Sequence, residues 1–117
     1  ISERYPNLLK ENIHVIIKGL LVTNNSSRKR HFTRILCRFN IPHNELGVIV
    51  NRCFDLIKPS EPISVRVFAL QLLFNISIIE PDLKGELIYV IEDLREEGGT
   101  AGFMNRSGKL LQKLKYQ

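Results

Sequence analysis

Five cations stand within eleven residues, at Arg28, Lys29, Arg30, Arg34 and Arg38, and no acidic residue occurs between Glu11 and Glu45. Arg30, Arg34 and Arg38 are four apart, so on a helix they form one stripe. Like charges at that spacing cost about 0.2–0.5 kcal/mol per pair, which asks for an anion nearby. Arg66 lies 36 residues after Arg30 and is expected to carry the stripe onto a neighbouring element. A positive ridge across adjacent elements is the geometry that tracks a phosphate backbone. It would equally suit an acidic protein surface. The blander use is a solvated face whose aliphatic stems cover apolar surface, with the acidic stretch later in the chain as its partner.

That stretch holds Glu80, Asp82, Glu86, Glu92, Asp93, Glu96 and Glu97 against only Lys84 and Arg95. Its carboxylates read as solvent-facing, so general acid–base or metal chemistry is not expected of them. A second anion site is conceivable at Gly98-Gly99-Thr100-Ala101-Gly102, where backbone N–H groups near Gly102 and the side chain of Arg106 would hold the ligand. The loop lacks the Lys-Ser/Thr of a phosphate-binding loop and follows a helix rather than a strand. A glycine helix stop followed by a threonine cap explains it as well. His14, His31 and His43 stand beside no acid or nucleophile in sequence, and Cys37 and Cys53 sit at apolar helical positions. No catalytic residue, metal site or cofactor is expected.

Proline, glycine and short polar clusters divide the chain into helices that would position these groups. The first is expected from Pro6 to about Thr23, with Leu9, Ile13, Ile16, Ile17 and Leu20 on one face. The second carries the arginine stripe together with Phe32, Ile35, Leu36 and Phe39. A third runs from about Asn44 to Ile57, and a fourth from Val65 to Ile79 is apolar nearly all round, as in the middle of a stack. The last two span Leu83 to Glu97 and the segment after Thr100, with Phe103, Leu110, Leu111 and Leu114 turned inward. Lys109, Lys113 and Lys115 then give the end of the stack a polar cap. The first helix has no such outer face, so it is expected either to self-associate or to meet a helix upstream.

The chain also repeats itself. Lys10, Ile13, Ile17 and Leu20 match Lys84, Leu87, Ile91 and Leu94 at an offset of 74, twice 37, and Arg30, Phe32 and Leu36 match Arg66, Phe68 and Leu72 at 36. Periods of this size mark stacked supersecondary units, each too small to bury its own apolar face. The expected fold is therefore all-α, a right-handed α-α superhelix of about three helix pairs, with residues 1–117 as one repeat domain. A start at Ile1 is expected to make it the C-terminal part of a longer chain.

The segment Pro62 to Leu94 resembles a HEAT unit, with Pro62 near the first-helix start and Pro81-Asp82-Leu83 opening the second helix. The whole pattern resembles HEAT and armadillo repeats. Gly98 to Leu114 is similar to the C-terminal end of small, mostly uncharacterised HEAT-like proteins of Bacteroidetes, some of them labelled adenylosuccinate lyase. The mobile serine loop and catalytic histidines of that lyase have no counterpart here. The resemblance implies a non-catalytic scaffold that holds a protein partner in the bacterial cytoplasm. HEAT-like alkylpurine DNA glycosylases imply a second reading, nucleic-acid binding in a basic concave cleft. The net charge of +5 suits either. No apolar run approaches the roughly 18 residues a membrane span needs.

Overall fold

The computed structural model describes residues 12–116. Six α-helices follow one another, with no strand among the described residues. They are α1 (Ile13–Val22), α2 (Ser26–Leu36), α3 (Leu46–Leu56), α4 (Ile63–Ile79), α5 (Leu83–Glu96) and α6 (Ala101–Tyr116). A 3₁₀ turn, His43–Glu45, leads into α3. The expected positions Pro6 and Leu9 lie outside the described residues.

Local chemistry sets most of the boundaries. The Asn25 side chain accepts the Arg28 N–H at 3.0 Å, supplying an acceptor to a helix start whose first N–H groups have none. Pro62 precedes α4, and Thr100 Oγ1 accepts the Phe103 N–H at the start of α6. Gly98, at φ 82°, occupies the left-handed conformation that ends α5. Three arginines bind main-chain carbonyls: Arg52 donates to Leu20 O at 2.9 Å and to Thr23 O at 2.7 Å at the end of α1, Arg66 to Ile57 O at 2.8 Å at the end of α3, and Arg95 to Met104 O near the start of α6.

The helices pair as α1–α2, α3–α4 and α5–α6 and stack in two layers. Successive even helices, α2 on α4 and α4 on α6, pack side by side. In the odd layer α1 meets α3, but no Cα of α3 comes within 8 Å of α5. The stack therefore closes on its even side and opens on its odd side. Apolar side chains from all six helices meet between the layers, among them Leu20, Leu36, Ile49, Leu73, Ile91 and Phe103. Nine residues of the central α4 are buried, as its all-round apolar character requires. No helix among the described residues is long and apolar enough to cross a membrane.

The repeat is visible as stacked buried positions at steps of 37 residues. Thr33, Leu70 and Ser107 are all fully buried, and so are Leu36, Leu73 and Leu110 to within 3%. Lys29, Arg66 and Phe103 form a third column, exposed by 8%, 5% and 0%. The odd layer repeats likewise, with Leu20, Ile57 and Leu94. The offset of 36 that pairs Arg30 with Arg66 is thus one residue short. On a helix one residue is 100° of rotation, enough to turn an exposed position inward.

Candidate functional site

The charges are sorted by layer. Helices α2, α4 and α6 contain Arg28, Lys29, Arg30, Arg34, Arg66, Arg106, Lys109, Lys113 and Lys115, and not one carboxylate. The odd helices carry Asp55, Glu86, Glu92, Asp93 and Glu96 beside Lys18, Arg52, Lys84 and Arg95, so the sorting holds for carboxylates and the odd layer is close to neutral. An anion approaching the even side therefore meets no opposing charge on those three helices.

Within the even layer the cations play two roles. Lys29 is buried and donates to both oxygens of Glu61, at 2.9 and 3.1 Å, with the two side chains exposed by only 11% and 17%. Arg66 is buried as well, its guanidinium 3.7 Å from the centre of the Phe103 ring while Nε holds Ile57 O. Burial pushes the Arg66 pKa below its ordinary value, and nearby Glu97 pushes it back up. A carboxylate lies just ahead of the next even helix in each case. It pairs directly with Lys29 but acts only at longer range on Arg66, whose buried Nη2 has no hydrogen-bond partner among the described residues. The expectation that Lys29 and Arg66 belong to the exposed ridge is corrected: they hold the stack together.

Arg28, Arg30, Arg34 and Arg38 are exposed. None forms an ion pair among the described residues. Arg30 and Arg34 stand one turn apart on α2, and Arg38 follows one residue past the cap at Cys37. Thr33 and Cys37 fix which way the stripe faces. Thr33 is buried against the layer below, and the Cys37 thiol lies 3.8 Å from Phe68 O on α4. Arg30 and Arg34 consequently project beside α4, while Arg38, past the helix end, lines a hollow with Asn75 and Ile76 of α4 and Leu46 of α3.

On the far side of α4 a matching row comes from α6. Arg106 and Lys109 line a shallow 290 Å³ recess with Val67, Phe68, Gly102 and Asn105. Gln71 meets Arg106, Lys109 and Lys113 in an adjoining hollow. Between the two basic rows runs the half-buried strip Phe68, Gln71 and Asn75, tied together by the Gln71 to Asn75 side-chain bond at 2.9 Å and by Asn75 to Cys37 O at 3.4 Å. Arg106 lies close enough to the first row to lower the Cys37 thiol, although burial dominates and raises it to about 11. Cys53 is fully buried and pushed higher still, so neither thiol is a nucleophile at neutral pH.

The site is therefore two cationic rails flanking a neutral floor: Arg30, Arg34 and Arg38 on one side, Arg106, Lys109 and Lys113 on the other. The sequence reading singled out the first row and, of the second, only Arg106, which it assigned to a separate anion site at Gly102. Lys109 and Lys113, expected on the outer end of the stack, instead face α4, and Lys115 reaches back to Glu92 at 2.6 Å. A signal was present, since no acidic residue follows Glu97. Of the residues expected to form an anion site at Gly102, Arg106 stands in this rail. Gly102 packs on Ile63, and the loop before it is a helix stop and cap. Two histidines do find acids in space, His14 with Glu45 at 3.0 Å and His43 with Glu80 at 3.1 Å, but both rings are well exposed and far from this face. No group of metal-ligating side chains occurs among the described residues.

Residues 1–114 match the model of a family described as HEAT repeat domain. Curated proteins give no match, and neither do solved structures.

Proposed function

The chain belongs to the HEAT repeat domain family, and from that premise we propose that it is a non-catalytic interaction module whose even face holds the phosphate backbone of a nucleic acid. A helical repeat scaffold builds its binding surface from side chains that successive units present in a row. The observation that carries the reading is the pair of rails on helices with no carboxylate. An acidic protein partner would profit from complementary hydrogen-bond acceptors and apolar anchors at the centre of the contact. The floor offers two amides beside Val67, Phe68 and, beyond Asn75, the exposed Ile78, so the reading rests on the charge of the rails.

The glycosylase-type alternative is the less favoured one. A glycosylase-type reaction on a damaged base needs an acidic group in the cleft, and α2, α4 and α6 supply none. Self-association through α1 is the remaining part of the partner reading, supported by Val15 and Val22 at 67% and 78% exposure.

The test is a fluorescence-anisotropy titration of a labelled single strand and a duplex at low and physiological salt, with polyglutamate as competitor. Supporting results are a steep salt slope and loss of binding in R34E/K109E. Affinity no better than about 10⁻⁴ M at physiological salt, the background of any basic protein, would sink the proposal. So would displacement by polyglutamate as readily as by unlabelled nucleic acid.

A further inference from the structure

The odd side of the molecule carries a second site of opposite character. Where α3 and α5 stand apart, they leave a groove of 540 Å³, within the range of ligand-binding clefts. Its apolar walls are Phe54 and Val90, with Tyr89 beside them at 72% exposure. Asp55, Glu86 and Asp93 stand along its rim. Lys58, its only cation, is held by Asp55 at 3.1 Å, while Glu86 and Asp93 pair with no described residue.

The repeat shows that this opening is a departure from the pattern. Phe54 stands 37 residues after Ile17 and 37 before Ile91, which are exposed by 1% and 0%. Phe54 itself stays partly open because no α5 backbone closes over α3. A large aromatic ring thus sits at a core position that its own layer leaves uncovered. Glu86, Tyr89, Val90 and Asp93 follow one another at spacings of three, one and three, so they form a single stripe along α5 facing that ring. The stripe alternates an acid, two apolar groups and an acid.

We infer that this groove binds a cationic, amphipathic peptide segment of another protein, laid between α3 and α5. Its apolar side chain would cover Phe54 and Val90 against Tyr89, and lysines or arginines on either side would meet Glu86 and Asp93. Charge complementarity selects this occupant. Three carboxylates against one paired lysine make the groove net negative in a chain of net charge +5. An acidic or a neutral apolar segment would leave Glu86 and Asp93 partly desolvated and unanswered. The inference stands apart from the nucleic-acid reading, since it uses the other layer and the other sign of charge.

An ¹⁵N NMR titration tests it, using a synthetic peptide that alternates leucine and lysine at helical spacing and an isomer with glutamate in place of lysine. The expected result is shifts at Phe54, Tyr89 and Val90 with the lysine peptide alone. The exposed double substitution E86K/D93K should weaken binding at least tenfold while leaving the melting temperature unchanged. If that variant misfolds, Tyr89→Ala, at a largely exposed position, should give a several-fold loss in its place. Several outcomes would overturn the inference: shifts centred on Gln71 and α6, equal binding of the glutamate peptide, undiminished binding to E86K/D93K or to Tyr89→Ala, or no binding at about 1 mM. A concentration-dependent dimer that occupies the groove without peptide would assign it to a second copy of the chain and overturn it too.

Discussion

The even and odd layers are made by one repeat and share one core, yet all the described helical carboxylates lie in the odd layer. The even helices hold nine cations and no carboxylate, while the odd helices hold five carboxylates and four cations. Buried positions obey the 37-residue step because each must fill the same gap between layers. Exposed positions do not obey it. Arg30 is followed at that step by Val67 and Met104, and Arg34 by Gln71 and Gly108. The rails come from non-equivalent positions of the first and last units, set on either side of a neutral middle unit. Repetition explains the scaffold, and the places where it lapses mark what the scaffold is for.

The largest effect should come from confusing the two classes of cation. Arg66→Ala removes a buried donor from Ile57 O and a ring contact from Phe103, and should cost about 3 kcal/mol. Thermal denaturation would then show a midpoint lower by more than about 10 °C. Arg34→Ala, at an exposed position, should leave that midpoint within a degree or two. Equal effects from the two would erase the distinction between structural and free arginines.

Next in size is the contrast between faces. Reversing two rail charges in R34E/K109E should weaken nucleic-acid binding by about thirtyfold, near 2 kcal/mol, and flatten the salt dependence. The opposite reversal on the odd layer, E86K/D93K, adds the same magnitude of charge and should change that affinity by less than about threefold, through net charge alone. Anisotropy titrations at one salt concentration decide it. Similar responses from both variants would mean that overall charge, and not the even face, governs binding.

The scaffold was largely legible in the sequence because helix punctuation and apolar periodicity are local. The starts near Pro62 and Pro81, the stop at Gly98 and the buried faces of α1, α3 and α4 follow from residues a few positions apart. The fate of each charge was less legible, because it depends on rotation about a helix axis that a one-residue error in the repeat offset shifts by 100°. Arg66 reads as equivalent to Arg30 at 36 and to Lys29 at 37, and only the second places it under Phe103. The second rail was hidden for another reason. Lys109 and Lys113 face Gln71 across a helix-to-helix contact that no local spacing encodes. Nor does any local pattern say that α3 and α5 diverge and leave Phe54 open.

Smaller effects should separate the closed contacts of the stack from its open face. Gly19 lies where α1 meets α2, and a Cβ there would stand 2.8 Å from the Phe32 ring. Gly19→Ala should therefore destabilise by about 1–2 kcal/mol despite the better helix propensity of alanine, as the ring is forced off its position. Urea denaturation measures it. No loss of stability would mean that α1 is free to move away from α2.

Gly85 provides the opposite case on the odd face. It lies in the first turn of α5 with nothing within 4 Å of an added Cβ, so no packing argument explains a glycine there. Gly85→Ala should stabilise by about 0.5–1 kcal/mol, chiefly by restricting the unfolded chain. The same variant also probes the groove, since Gly85 adjoins Glu86 at its rim. If the occupying peptide approaches the α5 backbone closely, the added methyl should weaken that peptide while raising the melting point by a few degrees. Nucleic-acid binding on the even face should not respond. A variant that gains stability and keeps both affinities would place the peptide further along the stripe, over Tyr89 and Asp93; one that gains no stability would show that the start of α5 is already constrained in the unfolded chain.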